Sequence, residues 1–216
     1  MKIKNLVLSF FAVAALASCK KDNFNYPEGT VGVSKIIYFP TIAIKGDHLI
    51  IINQGATFTD PGVTATLAGA AAQYTTSTTV TTTTGGIFNI VYTASNAQGY
   101  KATDWRTVVV IGNDVAANDF TGTYLRAATG VTSTWTKTAS GVYSVENPGG
   151  AGVGAGLHVI AVNYAGTSIA IPKQDSPDYG IVSSASESYS TTPPATYKWV
   201  FFAGGYGTSS RTFVKQ

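Results

Sequence analysis

Three glutamates, Glu28, Glu146 and Glu187, are all that the chain offers of that residue type. Glu28 sits in a Pro- and Gly-containing stretch near the start, which leaves Glu146 and Glu187 as the one glutamate pair that could flank a glycosidic bond. Nothing around either residue marks it for that work. No Gly-x-Ser-x-Gly elbow occurs, so a serine nucleophile lacks its usual signature. His48 and His158 fall in separate halves of the chain, each in a strand-like run, and a joint metal site is not expected. A single cysteine excludes a disulfide framework and a cluster of zinc thiolates. Asp175 and Asp178 could contribute to a calcium loop, but the Ser-Pro between them makes a plain turn the better reading. Gly149 to Gly156 contains Gly150-x-Gly152-x-x-Ala155, formally a dinucleotide fingerprint. That fingerprint works only when a helix follows, and Leu157 to Val162 alternates as a strand instead. The reading is a non-enzyme with no cofactor and no resident metal.

Aromatic rings are what remain. Tyr and Trp present planar apolar faces at low cost in rotamer entropy, which suits stacking on the apolar face of a pyranose. The second half of the chain holds Trp135, Tyr143, Tyr164, Tyr179, Tyr189, Tyr197, Trp199 and Tyr206. Trp135 stands among small polar neighbours, Val-Thr-Ser-Thr-Trp-Thr-Lys, and is expected to be exposed. Tyr206 stands in Gly204-Gly205-Tyr206-Gly207, an aromatic on a glycine loop. Trp199, inside Tyr-Lys-Trp-Val-Phe-Phe, is expected in the core, and Trp105 in packing. The expected ligand-binding set is Trp135 and Tyr206 for stacking, with Asn147 and Asp178 as hydrogen-bond partners. The expected ligand is an extracellular polysaccharide or oligosaccharide, and the rival reading is a structural protein that docks onto another protein.

The first residues give an address. Lys2 and Lys4, the apolar run Leu6 to Leu16 and the small pair Ala17-Ser18 read as a secretory signal over residues 1–18. The run falls short of the roughly 20 apolar residues that span a bilayer. Leu16-Ala17-Ser18-Cys19 resembles a bacterial lipobox, and the chain's single cysteine occupies the lipid-bearing position. Lipidation at Cys19 would make the membrane a partner, since each buried methylene of an acyl chain contributes about 0.8 kcal/mol. Residues 19–34 then form a tether. Lys21-Asp22 resembles the signal that sends Bacteroidetes lipoproteins to the outer face of the outer membrane, although Asn23 replaces a second acid.

Composition narrows the class further. Only 12% of residues are charged, against 44% hydrophobic and 23 glycines, where roughly 25% charged is typical. Without residues 1–18 the chain has twelve bases against eleven acids. Such a balance, with the bases scattered, gives no footprint for nucleic acid.

Beyond residue 34, β-branched and aromatic runs alternate with Gly, Pro, Asn and Asp clusters, the signal of an all-β protein. Strands are expected at 35–39, 48–53 and 73–80, and a hairpin pairs 87–94 with 101–111 through Asn96-Ala97-Gln98-Gly99. The series Thr57-Phe58-Thr59-Asp60-Pro61-Gly62-Val63-Thr64-Ala65, Gly86 to Ala94, and Arg106-Thr107-Val108-Val109-Val110 resembles the bacterial surface immunoglobulin-like domain. Phe88 and Asn96 replace that family's usual Tyr and Asp. Asp60-Pro61-Gly62 is read as a turn rather than as a calcium ligand or a catalytic acid.

Past a polar boundary at 113–119, Phe120-Thr121-Gly122-Thr123-Tyr124 and Gly141 to Val145 resemble the C-terminal domain of unknown function found behind that module in Bacteroidetes lipoproteins. The resemblance implies the neighbourhood of polysaccharide uptake, with an outer-membrane transport protein as partner. The expected architecture is an immunoglobulin-like β-sandwich over 35–112 followed by a small β-barrel or β-sandwich over 120–216.

Overall fold

The computed structural model describes residues 26–31 and 34–216. The expected leader, the lipid anchor at Cys19 and the first part of the tether lie outside the described residues. The first compact unit ends at Tyr38, and among its described residues β1 (Thr30–Val31) pairs antiparallel with β2 (Ser34–Lys35). The second unit runs from Phe39 to Gln216.

The second unit begins with two facing sheets. One joins β3 (Pro40–Ile44), β5 (Val63–Leu67) and β6 (Ala70–Ala71). The other has the order β4, β9, β8, β7, where β4 is Leu49–Asn53, β7 Thr75–Thr76, β8 Gly86–Ser95 and β9 Lys101–Ile111. Val63, Ile90, Tyr92 and Val108 pack between the sheets with Ile42, Ile44, Ile52 and Phe58. The expected hairpin is present, with Ile87 opposite Val109 and Ser95 opposite Lys101.

Two expected strands shift. The segment 35–39 yields to Pro40–Ile44, and 73–80 forms only the two-residue β7. Thr-rich sequence has the β preference but little to bury, so the ladder ends early.

The run Val108-Val109-Val110-Ile111 is apolar without alternation because both faces of β9 are covered. Val108 faces the sandwich, whereas Val109 and Ile111 face a second core with Val115, Val162 and Ala170. Leu49, Ile51, Ile87, Val142 and Tyr164 complete that seam. The segment 113–119, read as a linker, contributes the short 3-10 turn Asn113–Val115, whose Val115 is fully buried there. Backbone bonds stitch the seam: Gly112 N donates to Tyr164 O at 2.9 Å, and Gly166 N donates to the Asp114 carboxylate at 2.7 Å. Gly85 is required by this approach, since a Cβ there would lie 2.0 Å from the Tyr164 carbonyl oxygen.

The C-terminal region is a nine-stranded antiparallel meander. In chain order its strands are β10 (Gly122–Arg126), β11 (Val131–Ala139), β12 (Val142–Glu146), β13 (His158–Ala165), β14 (Ser168–Ala170), β15 (Gln174–Ser176), β16 (Gly180–Ser190), β17 (Thr196–Phe202) and β18 (Ser210–Lys215). Their order in the sheet is β14-β13-β12-β11-β10-β18-β17-β16-β15. The sheet curls back on itself, because Ser184 N on β16 donates to Ile171 O just past β14 at 3.0 Å. The sequence carries little signal for β16: Gly-Ile-Val-Ser-Ser-Ala-Ser-Glu-Ser-Tyr-Ser lacks the β-branched density that marks a strand, and β17 supplies the ladder that holds it.

The concave face is filled by rings. Tyr124, Trp135, Tyr143, Tyr197, Trp199, Phe201 and Phe213 form one buried cluster. Trp135 corrects the sequence reading: it is 0% exposed and stacks on Trp199 with centroids 5.4 Å apart. Its polar neighbours Thr134 and Thr136 point to the opposite face of β11, and strand alternation turns Trp135 inward beside the buried Ser133. A buried ring offers no stacking face to a ligand. Trp199 lies in the core as expected and donates its indole N–H to Pro148 O at 2.9 Å.

Candidate functional site

Three places concentrate polar groups. In the sandwich, Arg106 on β9 is fully buried and paired with Asp60, which precedes the Pro61-Gly62 turn. Asp60 also accepts the Tyr92 hydroxyl at 2.7 Å and Gly62 N at 3.0 Å. Arg106 Nε donates to Asp47 O at 3.3 Å, and its Nη2 to Lys45 O. Burial and the hydrogen bond to Asp60 push the Tyr92 phenol well above its ordinary value. Every group in this network has a partner, and it fixes the 45–47 and 60–62 loops against the two long strands. The Asp-Pro-Gly segment is thus both a turn and the counter-charge of Arg106.

The second place is the seam. His48 lies between two carboxylates, Nε2 facing Asp104 at 2.9 Å and Nδ1 facing Asp175 at 2.5 Å. Its ring stacks on Trp105 at 4.4 Å, and the Lys173 ammonium covers that same indole at 4.1 Å. Burial opposes ionisation of Asp104. The hydrogen bonds from His48, Trp105 N and Ile44 N outweigh it, leaving that carboxyl below the ordinary aspartate value. A cleft of about 390 Å³ opens here between Gly46–Leu49, Ile51, Ile160 and Gln174–Asp175. Asp175 belongs to this contact rather than to a calcium loop, and the hairpin between β15 and β16 places Pro177 and Asp178 in its turn. Sequence reasoning missed the contact because residues 48, 104 and 175 carry no local pattern.

The third place contains Tyr206. The loop between β17 and β18 carries the half-buried Tyr206 ring against Tyr179 and Phe201, at 5.7 and 5.0 Å. The glycine loop 149–154 runs beneath it so closely that a Cβ on Gly149 would lie 2.0 Å from the ring. Arg126, Gly149, Ala151, Val153, Gly204, Gly205, Tyr206 and Arg211 enclose a depression of about 280 Å³. Val153, 82% exposed, forms its apolar lip.

Of the expected binding set, Tyr206 alone lines this depression. Asn147 is a correction: it is buried, donates to Thr132 O at 3.1 Å and accepts Ala151 N at 3.0 Å, and so holds the glycine loop from behind. Asp178 is another, lining a separate depression where its carboxylate accepts His158 N at 2.8 Å. Glu146 accepts Gly156 N at 2.7 Å and Glu187 accepts the Ser184 hydroxyl of its own strand at 2.6 Å, so each is engaged locally. The stretch 149–156 holds a 3-10 turn, Gly152–Gly154, followed by strand β13. No group of three or more metal-ligating side chains occurs among the described residues.

Residues 42–110, which include most of the sandwich, match the bacterial surface protein, Ig-like domain. Asp60, Tyr92 and Arg106, which lie within the segments that carry the resemblance, are the residues joined in the buried network. No curated protein matches the chain. Among solved structures, the chain is similar to the crystal structure of the lipoprotein BT2262 from Bacteroides thetaiotaomicron, with 23% identity and a TM-score of 0.36, covering 82% of this chain and 100% of that one.

Proposed function

We propose that this chain is a non-catalytic lipoprotein of the outer-membrane surface that binds extracellular carbohydrate at Tyr206, within a polysaccharide uptake system. The lipobox-like Leu16 to Cys19 and the surface immunoglobulin-like domain support the location. The sandwich holds the C-terminal sheet away from the membrane, and its buried seam carries the two as one piece.

The observation that carries the binding role is the Tyr206 depression. The half-buried ring is braced by Tyr179 and Phe201 and lines the hollow with glycines and an apolar lip at Val153, so a sugar there would meet an aromatic that is already held in place. Affinity electrophoresis of the full chain against neutral and acidic polysaccharides, with product analysis, tests it. Retardation without cleavage, reduced in Tyr206→Ala, is expected; no retardation on any polymer overturns the reading.

The docking alternative has its own observation. Phe39, 60% exposed, and Tyr100 pair their rings at 4.9 Å on the surface of the sandwich. Crosslinking on intact cells that captures one protein through Phe39, with no glycan retardation, would favour it.

A further inference from the structure

The Tyr206 depression is lined by two arginines and, among the described residues, by no carboxylate. Neither arginine has an ion-pair partner among the described residues, in a protein with only 12% charged residues. Arg211 is 5% exposed. Its Nη1 donates to Ser209 O at 3.0 Å and its Nη2 to Tyr206 O, so it shapes the loop that presents the ring. Its Nε is buried with no partner. Arg126 donates to the glycine loop through Nη1 alone, to Gly150 O at 3.2 Å and Gly149 O at 3.4 Å. Its Nε and Nη2 have no partner among the described residues.

Burial, and then the charge of Arg126, hold the Arg211 guanidinium below its ordinary value. Two like charges on the wall of one hollow repel each other, and an anion placed between them relieves that repulsion. A guanidinium fork matches the planar carboxylate in two parallel hydrogen bonds. The aromatic ring and the cationic pair lie on the walls of one hollow, which is about large enough for a single sugar ring.

We infer that the Tyr206 depression selects a carboxylate-bearing sugar, a hexuronate residue, with its ring against Tyr206 and its carboxylate at Arg126 in the field of Arg211. This rests on the proposed carbohydrate role of the same site and names its substrate class. The carboxylate replaces the missing counter-charge, and the ring face replaces solvent over Tyr206.

Calorimetry of the full chain with a hexuronate oligosaccharide and its carboxyl-reduced, neutral counterpart tests the assignment. The acid is expected to bind at least tenfold more tightly. That preference should be lost in Arg126→Gln, partly kept in Arg126→Lys, and weakened by salt, with circular dichroism confirming that each variant is folded. Equal or tighter binding of the neutral counterpart overturns the uronate assignment and leaves the carbohydrate role standing. Tighter binding of a sulfated oligosaccharide, or equal binding of polyglutamate, also overturns it. Binding of none of these, with no retardation on any polysaccharide, overturns both.

Discussion

Two arginines in this protein lie beside tyrosines, and their surroundings differ in one respect. Arg106 sits 5.9 Å from the Tyr92 ring and Arg211 sits 5.5 Å from the Tyr206 ring. Arg106 is closed off by Asp60, so the charge, the phenol and two loop carbonyls satisfy one another. Arg211 has carbonyls but no carboxylate, and Arg126 adds a second positive charge beside it. The paired cluster is a structural lock with nothing left to offer a ligand. The second cluster, with no carboxylate of its own and an open side, leaves room for an anion that the first does not.

The sharpest way to break this comparison is at the core. Trp135→Ala removes a fully buried indole from the ring cluster, and a loss of about 3–5 kcal/mol is expected in chemical denaturation. Asp60→Ala leaves a buried guanidinium without its counter-charge and should lower stability by about 3 kcal/mol in the same measurement. Tyr206→Ala and Arg126→Gln should reduce glycan affinity at least tenfold, with a smaller loss of stability than Trp135→Ala because both side chains are only part-buried. A Gly149→Ala variant sharpens the point, because the added methyl drives the Tyr206 ring from its seat; affinity should fall although no ligand-facing group has been deleted.

The smallest effect belongs to the seam. Asp104 has its folded-state pKa depressed, so its contribution is complete above the ordinary aspartate value and is lost as pH falls through the lower folded value. With Asp104 partly exposed, about 1 kcal/mol is expected. Denaturation midpoints of wild type and Asp104→Asn, compared from neutral pH down past the carboxylate range, should converge as the acid is protonated.

Much of the fold was legible because strands with one dry face write themselves as alternation. Gly86 to Ser95 alternates, Lys101 to Ile111 ends in a β-branched run dry on both faces, and together they form the expected hairpin; the Asp-Pro-Gly and Arg-x-Val-x-Val segments lie within the stretch that matches the immunoglobulin-like model. β16 was not legible because its serines give no hydrophobic period. Trp135 misled because polar neighbours along a strand say nothing about the residue between them: Thr134 and Thr136 lie on the other face. Tyr206 was legible from its glycines. Arg126 and Arg211 were not, since they stand 85 residues apart and only the neighbouring strands β10 and β18 bring them to one hollow. His48, Asp104 and Asp175 were hidden for the same reason.

The most direct measurement is the affinity of Tyr206→Ala and Trp135→Phe, each compared with the wild-type full chain, for whichever polysaccharide retards it in electrophoresis. Trp135→Phe keeps an aromatic in the core and tests whether that ring touches the ligand. The account predicts that Tyr206→Ala abolishes retardation at unchanged fold while Trp135→Phe retains it. Retention by Tyr206→Ala together with loss in a folded Trp135→Phe would contradict it.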